Sequence, residues 1–335
     1  MKCLVTGGGG FLGLAIVRLL RARGDEVVSY SRSRHEAVEQ LGARCELGDV
    51  TDTAALGRAL RGVDCVFHVA AKAGVWGPWS EYARTNVVGT TAVVAASIAA
   101  KVPRLVHTSS PSVCFDGSDH VQAGNDLPYA AHFLAHYPRS KMLAEKHVVG
   151  WNGRGIATTV LRPHLIVGPG DPHLLTRVAA RARAGKLRVV GDGKNLVSLT
   201  DVENAAWAHL DAADELAAGA PHAGRAYFVA QEESVALWPW IATVLARSGL
   251  PAPRGRVPLA LARAAGVACE AWWSLKNRAD EPPMTRFVAL QLARTHTYDM
   301  APARRDFGYR ERISTAEMTA RATAWLTAEV AARRA

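Results

Sequence analysis

The sequence is poor in cysteine and shows none of the spacings that cysteine-dependent folds require. Its five cysteines are scattered and odd in number, and no two of them form a C-x-x-C pair. The common zinc motifs and a disulfide framework are therefore excluded, and we predict no metal site. A reducing compartment fits this pattern, so we expect a cytoplasmic protein. The cysteines are Cys3, Cys45, Cys65, Cys114 and Cys269.

Long apolar runs are also missing. The most apolar late stretch, residues 257–273, is interrupted by Arg263 and Glu270 and is short for a bilayer span. We expect a buried or partner-facing helix there and no transmembrane segment. Residues 1–5 lead directly into a structural motif, so we also expect no signal peptide before the fold.

Charge of neither sign is concentrated in runs. The formal net charge is +10, but the cations are spread among alanines on predicted helices such as residues 18–24 and 177–188. There is no basic tail, zinc finger or RNA-binding signature, so we predict no nucleic-acid partner. Solvated helix faces explain the cations, and a positive field that attracts anionic substrates or cofactors is the alternative.

Glycine, in contrast, is concentrated near residue 7. Residues 2–6 predict a strand, residues 14–24 a helix and residues 25–33 a second strand, with a glycine-rich turn after the first strand. This order is typical of a dinucleotide-binding unit, in which a diphosphate approaches the helix N-terminus. A flexible linker is excluded because periodic apolar segments flank the turn. The predicted contacts of the turn are Gly7, Gly10, Phe11, Leu12 and Gly13.

The end of the second strand predicts which dinucleotide binds. An NAD site usually has a carboxylate there for the ribose, but Ser31 is followed by Arg32 and Arg34, and no carboxylate occurs before Glu36. A guanidinium can hold a 2′-phosphate through paired hydrogen bonds. We therefore predict NADPH/NADP+ as the cofactor, with Ser31, Arg32 and Arg34 as contacts. The alternative is that both arginines are merely exposed.

Four further strands and an intervening helix continue the alternating pattern. The strands are predicted at residues 43–52, 64–74, 104–115 and 157–171, and the helix at 81–100. In a doubly wound sheet, ligands lie at the carboxyl ends of the strands. Asp49 could flank the adenine there, or could cap the next helix as Thr51 or Asp52 also could. The predicted cofactor contacts of these segments are Asp49, Val50, Ala70, Ala71, Lys72, Asn86 and Pro163.

A phenol and an ammonium follow the fifth strand. Tyr137 stands four positions before Lys141, so both lie on one face of a helix that begins near Pro138. The pattern alone favours an ordinary helix start. Packed beside the preceding strand, Tyr137 would protonate a carbonyl oxygen as hydride reaches the carbon. Lys141 would lower the phenol pKa and hold the nicotinamide ribose, and a serine from TSSPS would hydrogen-bond the developing alkoxide.

In this chain order, the motifs resemble the extended short-chain dehydrogenase/reductase superfamily. The resemblance implies that Ser110 is the proton-relay serine, with Ser109 and Ser112 as rivals, and that it acts with Tyr137 and Lys141. The matching strings are TGGGGFLG, GDVTD, HVAAKAG, NVVGT, TSSPSV, YPRSK and LRPHLIVGPGD.

More narrowly, the chain is similar to the 2-alkyl-3-oxoalkanoate reductases of bacterial long-chain olefin biosynthesis, in the 3β-hydroxysteroid dehydrogenase-like branch. The strings AAKAGVWG, RARAGKLRVVGDGKNLV and PARRDFGY carry this likeness. It implies NADPH-dependent reduction of a 2-alkyl-3-oxo fatty acid to the 3-hydroxy acid, which a β-lactone synthetase then consumes. It also implies a cytosolic multi-enzyme assembly. The wider superfamily resemblance implies a structural role for Asn86 and a homodimer built on helices 81–100 and 137–150.

A β-keto fatty acid has an anionic head and two alkyl chains. For the chains, we favour Trp76 and Trp79, because loops at strand ends carry function, and we expect Trp207 and Trp325 to pack in the core. Further apolar candidates are Leu174, Leu175, Tyr82, Trp238, Trp240, Trp272 and Trp273.

The head group needs a fixed positive charge. A β-keto acid loses carbon dioxide when its own proton reaches the ketone, so the site should keep the carboxylate ionised and away from the phenol. Arg177 or Arg181 could do this, although both could equally be solvated. His164 could touch the nicotinamide or the carboxylate, or only fill space beside a turn.

Taken together, the segments predict an α/β protein with a Rossmann-type, doubly wound parallel sheet. The sheet domain spans residues 1–165, with segments near 196–230 returning to it, and residues 166–335 form a smaller, interleaved substrate-binding lobe. A second hypothesis is another reductase of the superfamily that acts on a sterol, a dihydroflavonol or an aldehyde. A third is a regulatory protein that binds NADP without turnover, against which the presence of both Tyr137 and Lys141 argues.

Overall fold

The computed structural model describes residues 1–333 of the 335-residue chain. Its strands are β1 (Lys2–Thr6), β2 (Glu26–Ser31), β3 (Arg44–Leu47), β4 (Cys65–His68), β5 (Arg104–Thr108), β6 (His120–Ala123), β7 (Ala157–Pro163), β8 (Ile166–Val167), β9 (Val189–Val190), β10 (Leu196–Val197), β11 (Thr200–Asp201), β12 (Ala226–Val229), β13 (Val235–Ala236), β14 (Arg256–Val257) and β15 (His296–Tyr298).

The helices alternate with the strands through the first half of the chain. The α-helices are α1 (Phe11–Ala22), α2 (Glu36–Gln40), α3 (Thr53–Ala59), α4 (Trp79–Tyr82), α5 (Gly89–Ala99), α6 (His136–Gly150), α7 (Leu174–Arg183), α8 (Val202–Asp214), α9 (Leu237–Arg247), α10 (Leu259–Leu275), α11 (Arg286–Ala293), α12 (Ala301–Phe307) and α13 (Thr315–Ala332). A π-helix spans Ala83–Val88, and a 3₁₀ turn spans Pro111–Cys114.

Seven strands form the main sheet in the order β3-β2-β1-β4-β5-β7-β12, and every pairing in it is parallel. The short apolar runs of β1, β4 and β7 are buried along nearly their whole length, as expected for strands covered by helices on both faces. The strand order reverses between β1 and β4, which creates a crevice at the carboxyl ends of these two strands. The predicted Rossmann-type fold is confirmed.

Helices cover both faces of this sheet. Helix α1 packs against α8 on one face, whereas α3 and α5 share a separate apolar cluster on the other. Of the segments near 196–230, α8 and β12 join the sheet layer, while β10 pairs with β13 and β15 in a small second sheet.

A second apolar core lies in the lobe formed by the later segments. Trp238 and Trp240 on α9 are buried there, with the indole N–H of Trp238 donating to the Leu292 carbonyl at 2.9 Å and that of Trp240 to Thr319 Oγ1 at 2.9 Å. Trp325 packs against the same core. These tryptophans are therefore structural and do not line an open site.

Several strands end sooner than the sequence pattern predicts. The fourth stops at His68 because Thr6 Oγ1 accepts hydrogen bonds from the backbone N–H groups of Val69 and Ala70, both at 3.1 Å. The fifth stops at Thr108 because Pro111 begins a 3₁₀ turn. The early ends place a loop of small residues after β4 and a serine-containing loop after β5 at the carboxyl edge of the sheet.

Helix α10 differs most from expectation. The sequence favours a buried or partner-facing helix. Only Ala262 and Gly266 of its 17 residues are buried, so the prediction of a buried helix is wrong. Within residues 1–333, no helix has the length and apolar character that a membrane crossing requires.

Candidate active site

The glycine turn after β1 is shaped for a close ligand. Gly7 has a positive φ of 71°, and a Cβ there would stand 3.0 Å from the Ala70 Cα, so only glycine fits without strain. A Cβ on Gly13 would overlap the Gly7 carbonyl oxygen at 2.1 Å. Gly10 precedes α1 without a side-chain cap, so the first N–H groups of α1, from Phe11 onward, remain free for an anion.

At the end of β2, Arg34 forms an ion pair within the protein, whereas Arg32 does not within residues 1–333. Arg34 pairs with Glu39 at 3.1 Å, and the Ser31 hydroxyl donates to the Ser33 carbonyl at 2.7 Å. Arg32 is exposed and makes no hydrogen bond or ion pair with another residue in the range 1–333. The ring of His35 lies over Gly9, a contact that the sequence did not indicate.

At the end of β3, Asp49 is already engaged. Its carboxylate accepts hydrogen bonds from Thr51 N–H at 3.0 Å, Thr51 Oγ1 at 2.8 Å and Arg84 at 2.8 Å, and the bonds from Thr51 hold its pKa below the usual value. Asp52 caps α3 instead, accepting from the N–H groups of residues 54 and 55. Val50 is buried against Gly89.

The Asn86 side chain connects the loop after β4 with helix α6. Its Oδ1 accepts from the Lys72 N–H at 2.7 Å, and its Nδ2 donates to the Lys72 carbonyl at 3.0 Å and to Ser140 Oγ at 2.8 Å. The Lys72 ammonium is itself paired with Glu81 at 2.6 Å. Both side chains are thus engaged within the protein, and they position the loop after β4 rather than offer free groups to a cofactor. Ala70 packs closely against Gly7.

Tyr137 and Lys141 lie one turn apart at the start of α6, with Pro138 in the first turn. Of the nearby serines, Ser110 is the one whose side chain acts to lower the pKa of the Tyr137 phenol. Ser112 instead donates to Ser110 Oγ at 2.9 Å, and Ser109 Oγ is buried without a partner in the described residues. Of the three rivals, the fold brings Ser110 to the phenol.

Lys141 is buried behind Tyr137. Its ammonium donates to the Thr108 carbonyl at 2.6 Å and lies 3.2 Å from His107 Nε2. Burial lowers the Lys141 pKa to about 7, which Glu145 opposes in part. Burial also raises the pKa of the Tyr137 phenol, against the interaction with Ser110. The expected lowering of the phenol pKa by Lys141 is therefore not found in this structure, because burial raises that pKa and only Ser110 opposes it.

The sequence pattern missed a histidine pair beneath this site. His68 and His107 are register partners on β4 and β5, with ring centroids 5.0 Å apart. His68 bridges Thr6 Oγ1 at 2.8 Å and Thr90 Oγ1 at 2.9 Å. Burial, followed by the charge of Lys141, lowers the pKa of both rings, that of His68 to about 3. Neutral imidazoles thus connect the glycine turn with the lysine. The only signal for them was one histidine in each of two apolar strands.

Comparisons with known proteins decide the family. The 3-beta hydroxysteroid dehydrogenase/isomerase family matches residues 4–261. The chain belongs to this family.

Two relatives are named 2-alkyl-3-oxoalkanoate reductase. The protein from Stenotrophomonas maltophilia is 44% identical over 319 residues, covering 95% of this chain and 97% of its own. That from Shewanella oneidensis is 44% identical over 321 residues, covering 93% and 83%. The dTDP-glucose 4,6-dehydratase DesIV of Streptomyces venezuelae has the same fold, with a TM-score of 0.76 at 23% identity over 97% of this chain and 96% of that chain. The chain is thus a short-chain dehydrogenase/reductase and an oxidoreductase.

A groove of about 920 Å³ opens beside the start of α6. Trp76 lines it, whereas Trp79 lies outside, stacked under Arg139 at 4.4 Å and near His136 at 5.7 Å. His136 also lines the groove and directly precedes Tyr137. The apolar walls come from Val75, Trp76, Phe133, Leu134, Val267 and Trp273.

Of the two arginines considered for the substrate carboxylate, Arg177 is the one linked to the loop after β4. It pairs with Glu281 at 2.6 Å, and the other oxygen of Glu281 accepts from the Val75 N–H at 3.1 Å, on the loop after β4. Arg181 donates to the Pro283 carbonyl. His164 follows the buried end of β7 and packs against His296, with ring centroids 4.7 Å apart, so it fills space in the core and does not face the groove.

Proposed function

We propose that this oxidoreductase uses NADPH to reduce the 3-keto group of a 2-alkyl-3-oxoalkanoic acid to a 3-hydroxy group. The observation that carries the proposal is the interaction of Ser110 with Tyr137, which directly follows His136 on the wall of a groove lined by apolar side chains. Lys141 is buried one turn further along the same helix. The relatives at 44% identity supply the reaction in their names. The product belongs, on this proposal, to long-chain olefin biosynthesis.

The residues at the crevice fit a dinucleotide diphosphate. Gly7 and Gly13 leave no space for a Cβ, and α1 presents free N–H groups to the same place. The unpartnered Arg32 supports NADPH over NADH, because a 2′-phosphate would supply the anion that this guanidinium lacks. Bound there, the reduced cofactor supplies a hydride.

Tyr137 acts as the proton donor in the reductive direction. Its raised pKa keeps the phenol protonated across the neutral range, and an alkoxide is a far stronger base than a phenolate, so proton transfer is downhill. The Ser110 hydroxyl donates a hydrogen bond to the same oxygen as negative charge develops on it. Lys141 holds α6 to the end of β5 and presents an amine toward the ribose side of the site.

Arg177 takes the substrate carboxylate. Its guanidinium already holds one carboxylate, that of Glu281, at the edge of the loop that carries Trp76. A substrate carboxylate that displaces Glu281 stays ionised, which prevents the decarboxylation that proton transfer to the ketone would allow. The alkyl chains lie along the apolar walls of the groove.

The protein works as a cytoplasmic homodimer within a multi-enzyme assembly. Support for the dimer comes from α5 and α6, which pack side by side, with exposed apolar residues at their ends, Val88 and Trp151. A pair of such helices from each protomer would form a four-helix interface.

Oxidation of NADPH with a panel of ketones tests the function. The panel contains 2-alkyl-3-oxo acids, the matching ketones without a carboxyl group, a sterol ketone and an aldehyde. We expect turnover of the acids, with a product two mass units heavier by mass spectrometry. Faster turnover of the neutral ketones would overturn the acid assignment, and NADPH binding without consumption would indicate a regulatory protein.

A further inference from the structure

Helix α10 presents a broad apolar face to solvent. Four large side chains on it are more than half exposed, namely Leu261 at 60%, Val267 at 52%, Trp272 at 52% and Leu275 at 77%. At 100° per residue, these and the exposed alanines of the helix cover an arc of roughly 160°. No charged residue falls within this arc, which we call the α10 face. An apolar surface of this extent indicates an interaction site.

The opposite side of α10 is firmly attached. Glu270 accepts hydrogen bonds from the backbone N–H of Arg286 at 2.7 Å and from its guanidinium at 2.7 Å. Gly266 lies so close to α11 that a Cβ there would stand 2.6 Å from the Arg286 nitrogen. The α10 face is therefore a fixed feature of the folded lobe.

Cations border the α10 face. Arg263 flanks one side of the arc, and the Lys276 ammonium lies 5.0 Å from the Trp272 ring at the C-terminal end. Arg254 and Arg256 are exposed just before the helix. The one carboxylate of the helix, Glu270, is neutralised by Arg286 at 2.7 Å. Apolar side chains framed by Lys and Arg, with a tryptophan at the edge, suit the boundary of an anionic lipid layer.

The width of the α10 face favours a lipid layer over a partner helix as its binding partner. One partner helix covers a narrow seam of side chains at two positions per seven residues, whereas an arc of roughly 160° matches a flat, deformable surface. The charge of the border agrees, because a second copy of this basic chain would bring cations against cations.

The α10 face also reaches the groove beside α6. Val267 and Ala271 stand at its edge and line the groove as well. On the other wall of the groove are Trp76 and His136, and His136 directly precedes Tyr137. An alkyl chain that leaves a lipid surface under α10 can thus follow apolar side chains into the groove, whose other wall includes the residue next to Tyr137.

We propose that the α10 face docks this enzyme on an anionic lipid surface, from which the alkyl chains of its substrate enter the groove toward Tyr137. The docking rests on the exposed arc and its cations, and the delivery of substrate rests on the proposed function.

Co-sedimentation of the full chain with lipid vesicles tests the docking. The vesicles contain either equal parts of phosphatidylglycerol and phosphatidylcholine or phosphatidylcholine alone. We expect binding to the anionic vesicles that weakens with salt. The triple variant Leu261→Gln, Trp272→Gln, Leu275→Gln should bind at least about tenfold more weakly, because its side chains no longer enter the lipid. A double variant of exposed apolar residues elsewhere, Val121→Gln with Leu196→Gln, should bind as wild type does.

Three outcomes would overturn the docking. The wild type could fail to bind anionic vesicles, or the triple variant could bind them equally well. In the third, the wild type is a dimer that does not bind vesicles and the triple variant is a monomer. The last would assign the α10 face to a second copy. Reduction of a short, water-soluble 2-alkyl-3-oxo acid is measured in parallel and should be unchanged in the triple variant, because Leu261, Trp272 and Leu275 do not line the groove. If neither protein reduces such an acid, the proposed function fails, while the vesicle result still decides the docking.

Discussion

The Lys141 ammonium lies 2.6 Å from the carbonyl oxygen of Thr108, the last residue of β5. This hydrogen bond joins α6 to the strand that leads into Ser109 and Ser110. Because Tyr137 is one turn before Lys141 on the same helix, the bond sets the position of the phenol relative to the serines. The buried lysine is therefore a structural link between the two halves of the site as well as a functional group.

Replacement of Lys141 by methionine should change how stability depends on pH. The folded-state pKa is about 7 against an ordinary 10.5, so the unfolded chain binds the extra proton between about pH 7 and pH 10. Wild-type stability therefore gains from this group as pH rises, by up to roughly 1.4 kcal/mol per pH unit. The variant lacks this gain, so its free energy of unfolding minus that of the wild type falls over the same range.

Urea unfolding at several pH values measures this difference. Lys146→Met is the matched control, because Lys146 is on the same helix but exposed, and its difference from wild type should stay constant. A Lys141→Met difference that is equally constant would show that the lysine is not buried as a near-neutral amine.

Replacement of Tyr137 by phenylalanine should lower kcat by about 10³-fold, because the developing alkoxide loses its proton donor. Affinity for NADPH should change little. Tyr129→Phe serves as the control, since that phenol donates to the buried Glu145 at 2.9 Å and its loss should lower stability but not kcat. Wild-type turnover in Tyr137→Phe would remove the phenol from the mechanism.

The serine position can be decided with a matched pair of variants. Ser110→Ala should lower kcat by roughly 10²-fold, as expected when a hydrogen-bond donor to a developing oxyanion is removed. Ser109→Ala should retain near wild-type kcat, since the Ser109 hydroxyl is buried and makes no hydrogen bond within the described residues. The opposite ranking in steady-state assays would assign the relay to Ser109.

The sequence was sufficient for features that depend on local pattern. The glycine turn at Gly7 and the helix that begins near Pro138 both follow from short-range rules about backbone freedom and free N–H groups. The alternation of strands and helices likewise predicted the parallel sheet, because each βαβ unit has only one favoured hand and packing.

Features that depend on packing between distant segments could not be predicted in this way. The contact of His68 with His107 arises from the register of two strands, and the raised pKa of Tyr137 arises from the atoms that cover it. The exposure of Trp272 has the same origin, since an apolar helix looks alike in sequence whether it is covered or not.

Replacement of Asn86 by alanine should destabilise the protein by about 2 to 4 kcal/mol. The side chain is 1% exposed and makes three hydrogen bonds, so its loss leaves the Lys72 N–H and Ser140 Oγ short of partners in the interior. Thermal unfolding measures this cost. A variant as stable as wild type would show that water replaces the amide, and that the loop after β4 is held by other contacts.

Replacement of Arg32 by alanine should weaken NADPH binding by roughly 10- to 100-fold, the worth of a charge-assisted pair with a 2′-phosphate. NADH binding should stay the same, because NADH has no phosphate at that position. Arg34→Ala is the matched control: Arg34 is also exposed but is paired with Glu39 at 3.1 Å, so its effect should be smaller. Fluorescence titration of both reduced cofactors measures the four affinities. An equal loss for NADPH and NADH in Arg32→Ala would place the guanidinium away from the 2′-phosphate, and tighter binding of NADH by the wild type would end the assignment of NADPH.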